Sequence, residues 1–165
     1  MSPARAPAAP RLTYTANRAG AGEIAAHLRR CDGCFVPPLS SRVSLEAYAA
    51  KIEAHAERFE AWDNGELAGL VAAYCNDPAR LAAFVTSVSV VPERRGEGVA
   101  GRLMRDCIER ARLRGFALLR LTVAREQSHA IRLYERCGFA ALPAQPQASD
   151  IRMILELKEA CHARL

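Results

Sequence analysis

The most chemically suggestive part of this sequence is a glycine-rich turn between an apolar run and an amphipathic segment. The run over residues 88–90 leads through Arg94 and Arg95 to Gly96 and Gly98, where a helical pattern begins. A helix N-terminus presents unpaired backbone N–H groups and partial positive charge, so it attracts phosphate. The glycines allow a ligand close to the backbone, and the arginines add positive charge. The stretch predicts a phosphate site, although glycines also serve turns for conformational reasons alone.

Two other phosphate-binding loops fit this stretch less well. A P-loop needs a lysine after its second glycine, and no lysine lies near Gly98. The spacing Gly96-x-Gly98-x-x-Gly101 matches a dinucleotide-binding fingerprint. That fingerprint expects an early strand–helix–strand unit and an acidic residue at the end of the next strand, where residues 122–124 read Thr-Val-Ala. We therefore do not favour dinucleotide binding.

A second block lies about 35 residues further on and has its own pattern. Residues 130–139 read Ala-Ile-Arg-Leu-Tyr-Glu-Arg-Cys-Gly-Phe, and residues 95–100 read Arg-Gly-Glu-Gly-Val-Ala. Together they resemble the two signature blocks of the GNAT-type N-acetyltransferases, Arg/Gln-x-x-Gly-x-Gly/Ala and Ala-Ile-x-Leu-Tyr-Glu-x-x-Gly-Phe. The resemblance is close over residues 81–140.

This resemblance implies a fold, a co-substrate and a set of site residues. The fold would be α/β (α+β), a mixed, mostly antiparallel sheet flanked by helices, with an acetyl-CoA cleft splayed between its central strands. Acetyl-CoA would be the co-substrate, its pantetheine arm on the backbone of residues 88–90 and its pyrophosphate on the loop that follows. The implied cofactor-binding residues are Val88, Ser89, Val90, Arg95, Gly96, Glu97, Gly98, Val99, Ala100, Gly101 and Gln127.

Tyr134 is the implied catalytic residue, close to the thioester sulfur. Its phenol could stabilise the charge that develops on the departing thiolate. Two positions depart from the family pattern. Gln127 stands where many members have an Asn that contacts the cofactor, and Thr122 stands where members that acetylate ribosomal-protein N-termini carry a Glu base. That protein substrate class is therefore disfavoured.

The general base and the acceptor are not fixed by these motifs. Candidate bases are Glu126, His129, an acid from residues 44–77, or a chain of water molecules. Residues 44–77 carry seven acids against two basic residues, which would favour a cationic acceptor, although a solvated helix face and hairpin rim explain most of them better. The aromatic residues Phe35, Trp62 and Tyr74 could line an acceptor pocket or belong to the core, and residues 76–77 form a candidate contact loop.

The elements that must position these residues follow from local patterns. Apolar spacing and turn residues predict alternating short strands and helices, with Asn17 and Ser44 as helix N-caps and Asn64-Gly65 as a hairpin turn. The predicted strands are 11–16, 57–62, 66–75, 81–91, 117–123 and 150–157. The predicted helices run from Asn17 to about Arg30, after Ser44, from Val99 to Gly115 and from about Ala130 to Gly138.

Composition limits the remaining classes. The chain has 165 residues, a net charge of +5 and six cysteines. The charge would suit nucleic acid, but residues 44–77 sum to −5 and residues 94–114 to +4, so we expect no nucleic-acid partner. We also expect no membrane partner, since no apolar run is long enough to span a bilayer, and no zinc, since Cys31 and Cys34 lack a second pair.

The sequence therefore predicts an enzyme, an acetyl-CoA-dependent N-acetyltransferase acting directly on the primary amine of a small molecule such as an amino sugar, amino acid or polyamine. The alternative is a non-catalytic acyl-CoA-binding sensor or regulatory module. We expect residues 1–10 to be a disordered lead-in and residues 11–160 to form a single N-acetyltransferase domain. A cytoplasmic location fits reduced cysteines and the lack of a secretory leader, and the resemblance allows a homodimer.

Overall fold

A computed structural model describes residues 11–157. The N-terminal lead-in, Cys161 and the last residues assigned to the domain lie outside this range. The strands are β1 (Thr13–Ala16), β2 (Glu57–Asp63), β3 (Glu66–Tyr74), β4 (Ala82–Val90), β5 (Leu118–Ala124), β6 (Ala140–Ala141) and β7 (Asp150–Glu156). The helices are α1 (Ala21–Cys31), α2 (Leu45–His55), α3 (Val99–Leu113) and α4 (Ser128–Arg136), with short 3-10 turns at Asp32–Cys34, Leu39–Ser41 and Pro92–Arg94.

All seven strands form one sheet in the order β1-β2-β3-β4-β5-β7-β6. Neighbouring strands are antiparallel except β4 and β5, which run parallel. These two central strands pair over only three residues each, from Ala82 with Leu118 to Phe84 with Arg120. Beyond that point they separate into a V-shaped cleft. The expected mixed, mostly antiparallel sheet with splayed central strands is confirmed.

Helices cover both faces of this sheet and bury two apolar layers. On one face α3 and α4 pack on β2 to β5, with Leu103, Met104 and Leu119 among the fully buried side chains. On the other face α1 and α2 pack on β2 and β3 around Ile24 and Leu70. Between residues 11 and 157 we find no helix with the length and hydropathy needed to cross a lipid bilayer.

Close packing of α3 on β3 depends on Gly69. A Cβ placed there would lie 2.8 Å from Cγ1 of Val99 and 3.2 Å from Cδ1 of Leu103. The absence of a side chain at this position lets the N-terminal turn of α3 rest directly on the sheet. The glycine-rich turn that precedes α3 is thereby held at the mouth of the cleft.

Most of the predicted elements are present, but the start of the first helix was predicted wrongly. Asn17 has a φ of 58° and is not a helix cap. Its side-chain oxygen accepts from the Arg58 backbone N–H at 2.8 Å, and its amide donates to Glu57, so it joins the end of β1 to β2. Helix α1 begins four residues later, behind Gly20. The Ser44 cap and the Asn64-Gly65 turn are confirmed.

A β-bulge divides β4 into two halves. Ala73 pairs with Val85 and Ala72 pairs with Ser87, so Thr86 is an extra residue on the β4 side. Bulges bend a strand and change which side chains point to each face. Val85 packs toward α3 before the bulge, and Val88 does so after it. The phenol of Tyr48 on α2 donates to the Thr86 carbonyl at 2.8 Å and holds the bulge.

Candidate active site

The cleft offers an unpaired strand edge to an extended ligand. Past Phe84 and Arg120, β4 and β5 share no paired residues in the part of the chain that the structure describes. Backbone groups on such an edge can bond a ligand as an added strand would. Val88, Ser89 and Val90 lie along this half of β4. The structure therefore brings the predicted pantetheine-binding residues to the cleft.

The glycine turn follows β4 directly and ends at the N-terminus of α3. Gly96 and Gly98 have φ values of 80° and 78°, and a Cβ on either would meet no atom within 4 Å. Gly98 caps α3 without any side-chain bond to the helix amides. The first helical bond runs from the Arg102 N–H to the Gly98 carbonyl, so three amide groups precede it. These amide groups lie outside the hydrogen bonds of the helix, in an open cradle that can bind phosphate.

The loop residues contribute to this cradle in two ways. Val99 and Gly101 are buried, so the side chain of Val99 packs in the core and only backbone groups can reach a ligand. Glu97 carries a charge that would repel phosphate, but its carboxylate pairs with Arg94 at 3.1 Å. Arg94 also pairs with Asp63 at 3.0 Å. The charge of Arg94 is thus shared between Asp63 and Glu97, which offsets part of the charge of the loop carboxylate.

Arg95 and Gln127 both contact the segment that follows α1. The Arg95 guanidinium contacts the Cys34 sulfur, and its Nε donates to the Val90 carbonyl at 3.4 Å. Gln127, at the N-cap of α4, donates its amide to the Cys34 carbonyl at 2.8 Å. The 3-10 turn Asp32–Cys34 therefore links the glycine turn to the start of α4. A role of Gln127 in cofactor binding stays a prediction.

Tyr134 lies on α4 in the layer between the sheet and the helices. Its ring is 7 % exposed and meets Phe139 edge to face, with centroids 6.0 Å apart. Burial raises the pKa of Tyr134 above its usual range. The phenol therefore stays protonated at neutral pH and can donate a hydrogen bond. Its hydroxyl forms no hydrogen bond with any described residue.

A buried histidine that was not predicted from the sequence contacts Ser89, one of the cleft residues of β4. His27 on α1 is 1 % exposed. Its Nδ1 lies 2.8 Å from the Leu67 carbonyl, and its Nε2 lies 2.8 Å from the Ser89 hydroxyl. Because a carbonyl can only accept, Nδ1 carries the proton and Nε2 accepts from Ser89. This bond fixes the Ser89 side chain on β4.

His27 is poorly suited to be the general base. Burial lowers the pKa of His27 to about 4, so its basicity is weak at neutral pH. Its Nε2 is also occupied by Ser89. The pairing of His27 with Ser89 joins positions 62 residues apart, and a histidine on the apolar face of a predicted helix was the only sequence signal for it.

The acids of residues 44–77 are occupied by intramolecular partners. Two form no ion pair and bind backbone N–H groups instead: Glu53 accepts from Ala21, and Asp77 accepts from Ala79 and Leu81. The others form ion pairs, namely Glu46 with Arg29, Glu57 with Arg110 and Arg114, Glu60 with Arg58, Asp63 with Arg94 and Glu66 with Arg30. Five of the seven acids are thus paired with arginines, which weakens the field expected to favour a cationic acceptor.

A groove opens on the sheet face opposite α3 and α4, beside the point where β4 and β5 separate. It has a volume of about 360 Å³. Its lining comes from β4, β5, β7 and the segment before β7, namely Phe84, Arg120, Leu121, Thr122, Leu142, Arg152 and Ile154. Thr122 thus lies in this groove. Trp62, which the sequence left open between an acceptor pocket and the core, packs in the α1–α2 layer and donates to Thr15 at 2.7 Å.

Comparison with solved structures supports this architecture. The ribosomal-protein-S18-alanine N-acetyltransferase from Escherichia coli superposes with a TM-score of 0.70 and 22% identity, covering 93% of this chain and 99% of that one. An acetyltransferase from Salmonella typhimurium, solved with its cofactor acetyl-CoA, gives a TM-score of 0.73 and 22% identity over 93% and 96% of the two chains. At this identity the likeness concerns the fold.

Sequence comparison identifies the family. An uncharacterized N-acetyltransferase from Methanocaldococcus jannaschii is 36% identical over 80 residues, which are 46% of this chain and only 35% of that protein. The model of the acetyltransferase (GNAT) family matches residues 23–139, which include the glycine turn, the cleft strands and α4. The chain therefore belongs to the GNAT acetyltransferase family, whose co-substrate is acetyl-CoA.

Proposed function

We propose that this protein transfers the acetyl group of acetyl-CoA directly to the primary amine of a small molecule. The observation that supports this proposal is the position of the groove, which opens beside the point where β4 and β5 separate. The cleft edge and glycine cradle suit an extended, anionic cofactor, and the groove beside Thr122 opens on the opposite face. A volume of about 360 Å³ suits a small molecule.

The chain's own residues divide the work between binding and stabilisation of charge. The backbone of Val88, Ser89 and Val90 would hold the pantetheine arm, while the turn from Arg95 to Gly101 would hold the pyrophosphate. Bound acetyl-CoA supplies the acetyl group as a thioester. The Tyr134 phenol, protonated in its buried site, would donate a hydrogen bond to the departing thiolate at the sulfur end of the cleft.

The candidate bases differ in how the structure places them. Glu126 and His129 are exposed at the turn before α4 and in its first turn. We propose that one of these groups, or water, accepts the proton of the amine. The cysteines described by the structure are all unpaired, which fits a cytoplasmic setting for the reaction.

Release of free thiol from acetyl-CoA, measured across a panel of small amines and N-terminal peptides, tests the proposal. We expect turnover with small amines and little with the peptides. Turnover with peptides alone would contradict the small-molecule assignment. Tight binding of acetyl-CoA without acetylation of any amine would indicate an acyl-CoA-binding module instead.

Two matched pairs of variants test the site residues. Gly98→Leu should abolish acetyl-CoA binding in calorimetry, whereas Gly65→Leu should not. Gly65 has a similar φ of 81° and open space around it, but it lies in the β2–β3 hairpin. Tyr134→Phe should lower kcat more than acetyl-CoA affinity, and Tyr14→Phe on edge strand β1 should change neither. Equal effects within either pair would argue against the assignment.

A further inference from the structure

The groove at the vertex of the V carries positive charge that nothing in its lining balances. Arg120 and Arg152 are the only charged residues among those lining it. Both are exposed, and neither forms an ion pair with another residue of the range 11–157. Two carboxylates lie close by but outside the lining. Asp77 binds the backbone N–H groups of Ala79 and Leu81 and also attracts Arg120, and Glu156 on β7 is a diagonal neighbour of Arg120.

Strand register places these two arginines together. Thr122 pairs with Arg152 and Arg120 pairs with Ile154, so the two arginines are diagonal neighbours on adjacent antiparallel strands. Diagonal neighbours are about 7–8 Å apart, within reach of long side chains. Both point away from α3, because Leu121 and Met153 between them pack in the α3–α4 layer. Their guanidinium groups can therefore converge on one ligand.

Two like charges in such an arrangement favour an anionic partner. Repulsion between neighbouring cations is unfavourable on a sheet, whereas guanidinium groups bind carboxylates strongly through paired N–H bonds. Apart from Thr122 the remaining lining is apolar and comes mainly from Phe84, Leu142 and Ile154. The groove thus combines two arginines with apolar side chains.

We propose that the amine acceptor of this enzyme also carries a carboxylate, which Arg120 and Arg152 bind, and an apolar body, which lies on Phe84, Leu142 and Ile154. The acceptor is thus an amino acid with an apolar side chain or chain segment. This inference rests on the proposed function and narrows its substrate class. It disfavours polyamines, whose positive charges the two arginines would repel.

Paired substrates test this directly. Leucine, phenylalanine and 4-aminobutyrate are compared with their carboxamides, in which the carboxylate is neutral. Hydrogen bonds to charged groups predict that kcat/KM for at least one acid exceeds that of its amide by about 10- to 100-fold. Arg120→Gln and Arg152→Gln should raise KM for that acid by a similar factor and should change the KM of the amide much less.

Arg112→Gln serves as the matched control, because Arg112 lies in the last turn of α3, where it pairs with Glu109. It should change no kinetic constant. Calorimetric titration of the preferred acid into the protein saturated with CoA gives a second readout. Binding should be lost in the Arg120→Gln, Arg152→Gln double variant and kept in the control.

The outcomes separate the inference from the proposed function. Equal kcat/KM for acids and amides, or arginine variants that affect both alike, would overturn the carboxylate assignment alone. The absence of turnover with every amine, while acetyl-CoA still binds, would overturn the proposed function and the inference together.

Discussion

Replacing His27 with asparagine should change how stability depends on pH. Burial lowers the pKa of His27 to about 4, whereas an unfolded histidine has a pKa of 6.5. Below pH 6.5 His27 of the unfolded chain therefore binds a proton, whereas His27 of the folded protein binds one only below about pH 4. The contribution of neutral His27 to the free energy of unfolding is fully present above pH 6.5 and is lost as pH falls toward 4. Linkage gives a loss of about 2 kcal/mol at pH 5 and about 3 kcal/mol below pH 4.

Urea unfolding at pH 7.5 and pH 5.0 measures this difference. The wild-type protein should lose about 2 kcal/mol more than His27→Asn over this interval. His129→Asn, at an exposed position of α4, serves as the control and should follow the wild type. An identical loss in His27→Asn and in the wild type would refute the argument that burial keeps His27 neutral.

Three further substitutions test how the site is supported, each by urea unfolding. Glu60→Gln should cost about 3 kcal/mol or more, because it leaves the buried Arg58 without its carboxylate partner; a smaller loss would show that the carbonyls of Glu53 and Ala56, to which Arg58 already donates, are enough to stabilise its charge. Gly69→Ala should cost about 1–3 kcal/mol through overlap with Val99 and should also weaken acetyl-CoA binding; unchanged affinity would separate α3 placement from the cradle. Ser44→Ala should cost about 1 kcal/mol through loss of the α2 cap, and no loss would mean that the cap is replaced.

The parts of the fold that local patterns control were predictable from sequence. The apolar spacing of α3, the Asn64-Gly65 turn and the Ser44 cap all depend on residues within a few positions of one another. Asn17 shows the limit of that reasoning. It has the residue type of a helix cap, but its side chain bonds instead to the backbone of Arg58 in the neighbouring strand. A local propensity gave way to a contact between distant segments.

The residues of the candidate site show the same difference between local motifs and contacts of distant segments. The glycine turn and Tyr134 belong to contiguous motifs, so sequence could identify them. The bond from His27 to Ser89 spans 62 residues, and the bond from Gln127 to Cys34 spans 93. The acceptor groove is assembled from β4, β5 and β7, and Arg120 meets Arg152 only through strand register. None of these pairings has a local signature, because sheet order determines them.

Because of the extra residue in β4, the burial of its side chains and the width of the cleft can vary separately. Without Thr86, Val85 and Ser87 would be consecutive residues of a regular strand. All the remaining side chains of β4 would still point to the faces they occupy now, because Thr86 is an addition between two stretches that each alternate regularly. We therefore expect a chain shortened by Thr86 to retain its buried layers while the strand straightens toward β5. A change of one residue in the length of β4 would then alter the access of a ligand to the cleft without altering the folding of the chain. Insertions at this point can therefore change the width of the cleft while the hydrophobic layers stay intact.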